Sequence, residues 1–77
     1  SMTGKFKPGI YEHFKGGKYL ALFIAKHSET LEDYVVYISL YDNENSHVWI
    51  RPLKDFNGYK EFEDGIRVKR FKFIRDR

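Results

Sequence analysis

Two runs dominated by apolar residues, Lys18-Tyr-Leu-Ala-Leu-Phe-Ile-Ala-Lys26 and Tyr34-Val-Val-Tyr-Ile-Ser-Leu-Tyr41, are joined through a polar knot, His27-Ser28-Glu29-Thr30-Leu31-Glu32. β-Branched and aromatic residues fill the second run, which disfavours helix and fits a pleated, half-buried surface. The chain therefore passes from one strand to the next through this knot. A simple tight turn would use Gly or Asn, and the knot has neither. It is crowded instead with groups that hydrogen-bond or titrate, as expected of a loop that carries function on a sheet.

The same reading extends along the chain. Pro8-Gly9 stops any helix early, and Ile10-Tyr-Glu-His-Phe14 reads as a short first strand. Gly16-Gly17 supplies the positive φ angles of a tight hairpin, so the second strand folds back on the first. Strict alternation along that strand predicts Tyr19, Ala21, Phe23, Ala25 and His27 on one face. Asp42–Ser46 reads as a polar loop, and Val48–Arg51 as a strand ended by Pro52. Leu53 to Phe56 is the one place for a helical turn, expected to be 3₁₀. Asn57-Gly58 and Asp64-Gly65 are turn signals, the second joining a strand near Tyr59–Phe62 to one near Arg67–Ile74. Five or six short strands and no long helix predict an all-β fold: a small, strongly bent, antiparallel SH3-like barrel, with an OB-type barrel as the alternative.

With 77 residues the chain is one domain, ordered from about residue 7 to 75, near the lower size limit for an unstapled core. Six tyrosines and seven phenylalanines compensate, because each ring buries a large area for few rotatable bonds. There is no cysteine, which permits a reducing compartment, and a cytoplasmic location is expected. No run approaches the length of a membrane span, so no membrane partner is expected. Ser1 ahead of Met2 reads as a tag scar. Net charge is only +3, but it is unevenly placed: no Lys or Arg lies between Lys26 and Arg51, where Glu29, Glu32, Asp33, Asp42 and Glu44 all fall. The C-terminal stretch holds Arg67, Lys69, Arg70, Lys72, Arg75 and Arg77. Basic residues interleaved with Phe71 and Phe73 suit single-stranded nucleic acid. They equally suit a strand with one buried and one solvated face, which the strict alternation of the phenylalanines favours.

His27, Ser28, Glu29 and Thr30 hold a base, a hydroxyl and a carboxylate, yet adjacent residues on one loop rarely reach the geometry of a catalytic triad. No enzyme is expected on these grounds; a small hydrolase centred on His27 and Glu29 is the lesser alternative. His13, His27 and His47 have no spacing that forces them together, so neither metal nor cofactor is expected. Trp49 and Arg51 share one face of a strand, and Tyr11, His13, Tyr37 and Tyr41 complete a mixed aromatic and polar set. Arg51 is also placed to pair with the acidic knot, and Trp49 to serve as the main core ring.

The motifs occur in a distinctive order: Pro8-Gly9-x-Tyr11-x-His13-Phe-Lys15-Gly16-Gly17-x-Tyr19, then Ala25-x-His27-Ser28-Glu29-Thr30-x-Glu32. Val35-Val36-Tyr37-x-x-Leu40-Tyr41, Trp49-Ile-Arg51-Pro52-Leu53-x-x-Phe56 and Arg70-Phe71 follow. From about Lys7 to Phe73 the chain resembles a small, mostly bacterial domain-of-unknown-function family, number 1653. The family usually has Thr where Ser28 stands, Met where Asp55 stands and Pro where Lys69 stands, so the segment after Pro52 is expected to be set differently. The resemblance implies no catalytic residue. It does imply a shared recognition surface, and the expected ligand-binding set is Tyr11, His13, Lys15, His27, Ser28, Glu29, Thr30, Tyr37, Trp49 and Arg51. The expected function is a binding module for a small polar molecule, a peptide or a nucleotide segment, as a monomer or weak homodimer. A nucleic-acid-binding barrel using the basic C-terminal strand is the alternative.

Overall fold

The computed structural model describes residues 6–77, so Ser1 lies outside the described residues. Seven strands and one helical turn follow one another: β1 (Gly9–His13), β2 (Lys18–Lys26), β3 (Asp33–Ser39), β4 (Val48–Pro52), α1 (Leu53–Phe56), β5 (Tyr59–Glu61), β6 (Arg67–Lys69) and β7 (Phe71–Arg75). Five strands form an antiparallel sheet in the order β4-β3-β2-β1-β7, and β5 and β6 form a separate hairpin. The fold is all-β and the sheet is strongly bent, but the strands do not close into a barrel: β4 and β7 remain as edges. The helical turn is α rather than 3₁₀. No helix among the described residues is long and apolar enough to cross a membrane.

The β1–β2 hairpin forms where the glycine pair places it, with Gly16 N–H donating to His13 O (2.7 Å) and His13 N–H to Gly17 O (2.8 Å). Only Gly16 takes a positive φ, 107°. Gly17 is needed for space instead, since a Cβ there would lie 2.8 Å from the Tyr41 ring.

The expected single C-terminal strand is split at Arg70. Its N–H donates to Gly58 O and its carbonyl accepts from Phe14 N–H, both at 3.0 Å. Its two backbone groups thus serve different ladders, and the chain turns a corner between hairpin and sheet.

The core lies on the concave face. Tyr11, Ala21, Val35, Tyr37 and Phe71 come from the sheet, and Leu53 and Phe56 close over them from α1. Phe56 is 1 % exposed and stacks on Phe71, with ring centroids 4.2 Å apart and planes 8° from parallel. Burying such a ring stabilises the fold by about 2–3 kcal/mol. Pro52 begins the turn with φ −51°, and its missing N–H is no loss at a helix start.

A β-bulge in β2 decides which side chains join this core. Ala21 pairs with Tyr37, but Phe23 pairs with Val36 and Ile24 with Val35, so one residue is skipped. The expected alternation therefore fails halfway. Tyr19 and Ala21 face the core, whereas Phe23 is thrown outward and Ile24 takes its place. Ala25 pairs with Tyr34 on the outer face, and His27, two residues on, follows it there.

Candidate functional site

The expected binding residues fall into two groups on opposite faces of the sheet. His27 organises the first. Its Nδ1 accepts from the backbone N–H of Glu29 and of Thr30, both at 3.2 Å. Its own N–H donates to Glu32 O and its carbonyl accepts from Leu31 N–H, both at 2.8 Å. The Thr30 hydroxyl in turn accepts from Glu32 N–H at 3.2 Å. In place of a glycine, Leu31 takes the left-handed conformation, φ 63°. The loop is thus self-capped, with the His27 and Thr30 side chains holding its shape. Ser28, Glu29 and Thr30 are exposed, and the nearest ring to His27 is Tyr34, 6.0 Å away.

Glu29 approaches His27 through its amide rather than its carboxylate. The acidic residues beside the loop pair locally: Lys54 Nζ lies 3.7 Å from Glu32, and Lys26 Nζ 2.8 Å from Asp33 in an ion pair without hydrogen-bond alignment. Arg51 is in neither pair.

The second group lies on the concave face. The register sets Trp49 opposite Tyr37 and Arg51 opposite Val35, so indole and guanidinium share a face as expected. Trp49 is half-buried against the core rather than at its centre, which Phe56 occupies. The bend carries Arg51, on one edge strand, to within 5.9 Å of the Phe71 ring on the other. His13 packs on Phe71 and Phe14, with centroids at 4.9 and 4.4 Å, and its Nδ1 accepts from Lys15 N–H at 3.1 Å. Tyr19 touches Tyr37, Phe71 and Tyr41 edge-on and shares a 2.5 Å hydrogen bond with the Tyr41 hydroxyl. Tyr11 lies deeper, its hydroxyl donating to Lys7 O.

Electrostatically this face is unbalanced. Burial holds the His13 pKa below its ordinary value, and the nearby charges of Arg51, Arg70 and Lys15 push the same way. Burial and the Tyr41 hydrogen bond hold Tyr19 well above the usual tyrosine range, against the opposing pull of Arg51. Among the described residues no carboxylate lies within ion-pair distance of Arg51 or Arg70. The Nε–H of each arginine and the indole N–H of Trp49 are buried with no hydrogen-bond partner among those residues. Native folds rarely leave such donors unmatched, so each of the three marks a place where an acceptor is wanted.

Arg70, Tyr19 and Phe71 were not among the expected binding residues. Arg70 had one signal: between Arg67 and Phe73 the charged and apolar residues alternate except at Lys69-Arg70, which marks the strand break.

The family model for a protein of unknown function, DUF1653, matches residues 9–73. The chain belongs to the DUF1653 family. A crystal structure of a DUF1653 protein from Bordetella bronchiseptica is similar over 95% of this chain and 92% of its own, with 36% identity and a TM-score of 0.85. No curated protein matches the chain. The DUF1653 description assigns no activity, so function is argued from the geometry.

Proposed function

We propose that this DUF1653 domain is a binding module, not a catalyst, that recognises an anionic group on a small polar molecule, a peptide or a nucleotide segment. The site is the concave face, with Arg51, Arg70 and His13 as the cationic and donor groups and Tyr19 and Trp49 as aromatic walls. One observation carries the reading: the Arg51 guanidinium and the His13 imidazole lie on the same Phe71 ring, 5.9 and 4.9 Å from its centroid, and among the described residues no carboxylate lies within ion-pair distance of Arg51 or Arg70. A carboxylate or phosphate would supply the acceptors, and arginine is well shaped to grip either. The His27–Thr30 loop then serves as scaffold for the sheet rather than as a contact surface.

The basic C-terminal strand fits the ordinary half-buried pattern, since Phe71 and Phe73 face the core while Lys72 pairs with Glu12 on the other side. Nucleic-acid binding therefore receives no separate support from it.

The test is a titration of labelled protein with inorganic phosphate and with acetate, following the Nε–H resonances of Arg51 and Arg70 and the indole N–H of Trp49. Saturable shifts of these three, little weakened by added salt, are expected. Shifts confined to Lys69, Lys72 and Arg75, fading steeply with salt, would favour the nucleic-acid alternative. An absence of any saturable shift would remove the site.

A further inference from the structure

Across β2, β3 and β4, the face of the sheet turned away from α1 carries two apolar rows. Leu20, Ile38 and Val48 line up in one cross-strand row, and Phe23, Val36 and Ile50 in the next. Ile50 is 62 % exposed, Val48 57 % and Phe23 56 %, with the other three half-buried. The solvated face of an antiparallel sheet normally carries polar side chains. Here neither row contains one. The bulge contributes directly, by turning Phe23 out of the core and into this surface.

The neighbouring β4 edge is guarded at both ends, which favours a partner on the face. The Ser46 hydroxyl donates to Val48 O at 2.9 Å and accepts from Val48 N–H at 3.1 Å, which occupies both of that residue's backbone groups. Pro52, at the far end of β4, has no N–H to offer. Such devices discourage strand addition.

We propose that a second copy of the chain covers this face, the two sheets packing against each other about a two-fold axis. Composition favours this occupant. Within β2–β4 the rows hold no hydroxyl, amide or charge to orient a small ligand, whereas homodimer interfaces are more apolar than the rest of a protein's surface. A two-fold axis lays the face on itself and buries both copies' rows at once, at the ~10 Å spacing of packed sheets. The six side chains offer on the order of 500 Å² per copy before rim contacts, close to the ~600 Å² per partner at the lower end of specific interfaces. The rim is compatible as well: Glu12 pairs with Lys18 on one side and Lys72 on the other, so both signs are present where two copies meet. The concave face stays open in such a dimer.

The test is light scattering and sedimentation of the full chain from micromolar to several hundred micromolar. A mass of twice the 9.3 kDa chain is expected, with Ile50→Lys raising the dissociation constant at least ~100-fold by burying an unpaired charge. Ile66, 59 % exposed on the β5–β6 turn, is the control, and Ile66→Lys leaves the dimer intact. Mixed-label samples of the unaltered chain give a second readout: cross-chain contacts between the Phe23 ring and the Ile50 and Val48 methyls. The single-chain mass at the highest concentration, cross-chain contacts located elsewhere, or equal effects of the two lysine variants would each overturn the proposal.

Discussion

His13 and His27 perform the same local task in opposite surroundings. Each ends a strand, and each imidazole Nδ1 accepts the amide N–H two residues on, from Lys15 in one case and Glu29 in the other. The His13 ring then lies on the concave face against Phe71, with Arg51, Arg70 and Lys15 around it. The His27 ring lies on the outer face beside Tyr34, in a loop of exposed residues. The difference is made elsewhere, by one extra residue in β2 that reverses the direction of everything after it. A polar loop becomes a site or a scaffold according to the register of the strand that delivers it.

The sharpest way to break this distinction is to remove a group from each side. Arg51→Gln is expected to weaken phosphate binding about 10–100-fold, the worth of one charge-assisted hydrogen bond near 1.5–3 kcal/mol. His27→Ala is expected to leave the same affinity within about twofold, as fits a scaffold role for the loop. Isothermal calorimetry with phosphate reads both, and equal losses would erase the contrast. Stability should show the reverse. His27→Ala strands the Glu29 and Thr30 amides and is expected to lower unfolding free energy by about 1 kcal/mol in urea denaturation, as lost helix caps do. A smaller effect probes the loop's strain. Leu31→Gly relieves a left-handed leucine and is expected to raise stability by about 0.5–1 kcal/mol, since that conformation costs about 1–2 kcal/mol, less glycine's entropic penalty. Unchanged or lower stability would show that the Leu31 side chain contributes packing that its exposure conceals.

Acid sharpens the other half. His13 is held neutral below its ordinary pKa of 6.5, so native and unfolded chains bind protons alike well above that pH. As pH falls through about 6.5 the unfolded chain takes up a proton that the native one resists, and stability declines. Denaturation midpoints should drop between neutral pH and pH 5 in the parent, and drop less in His13→Gln. A bound anion offsets the local positive charge, so binding takes up a proton at His13. Acetate, which keeps its single charge throughout, is expected to bind more tightly as pH falls towards the lowered His13 midpoint.

Much of the architecture could be read from the residues. The Gly16-Gly17 hairpin, the strand before Pro52 and the Asp64-Gly65 turn all formed where their turn chemistry predicts. The pairing of Trp49 and Arg51 on one face was also correct, because a five-residue strand leaves little room for a shift. The bulge was hidden for a physical reason. Leu20-Ala-Leu-Phe-Ile-Ala25 is apolar at every position, so no polar residue reports which side faces out. That same uniformity leaves the outer face apolar. The closed barrel failed at Arg70, whose backbone divides its hydrogen bonds between two sheets instead of continuing one. Arg70 as a binding group was invisible because His13, on whose charge it acts, lies far from it in the chain.

The charge at His13 is the property most directly tied to an anion on the concave face. Titration of both imidazole rings by NMR, with and without saturating phosphate, reads it in a single experiment. The predicted result is an upward shift of the His13 midpoint on phosphate binding, with the His27 ring resonances indifferent to phosphate. A His13 midpoint that phosphate leaves unmoved, or a response at His27 instead, would contradict the assignment of the concave face as the site.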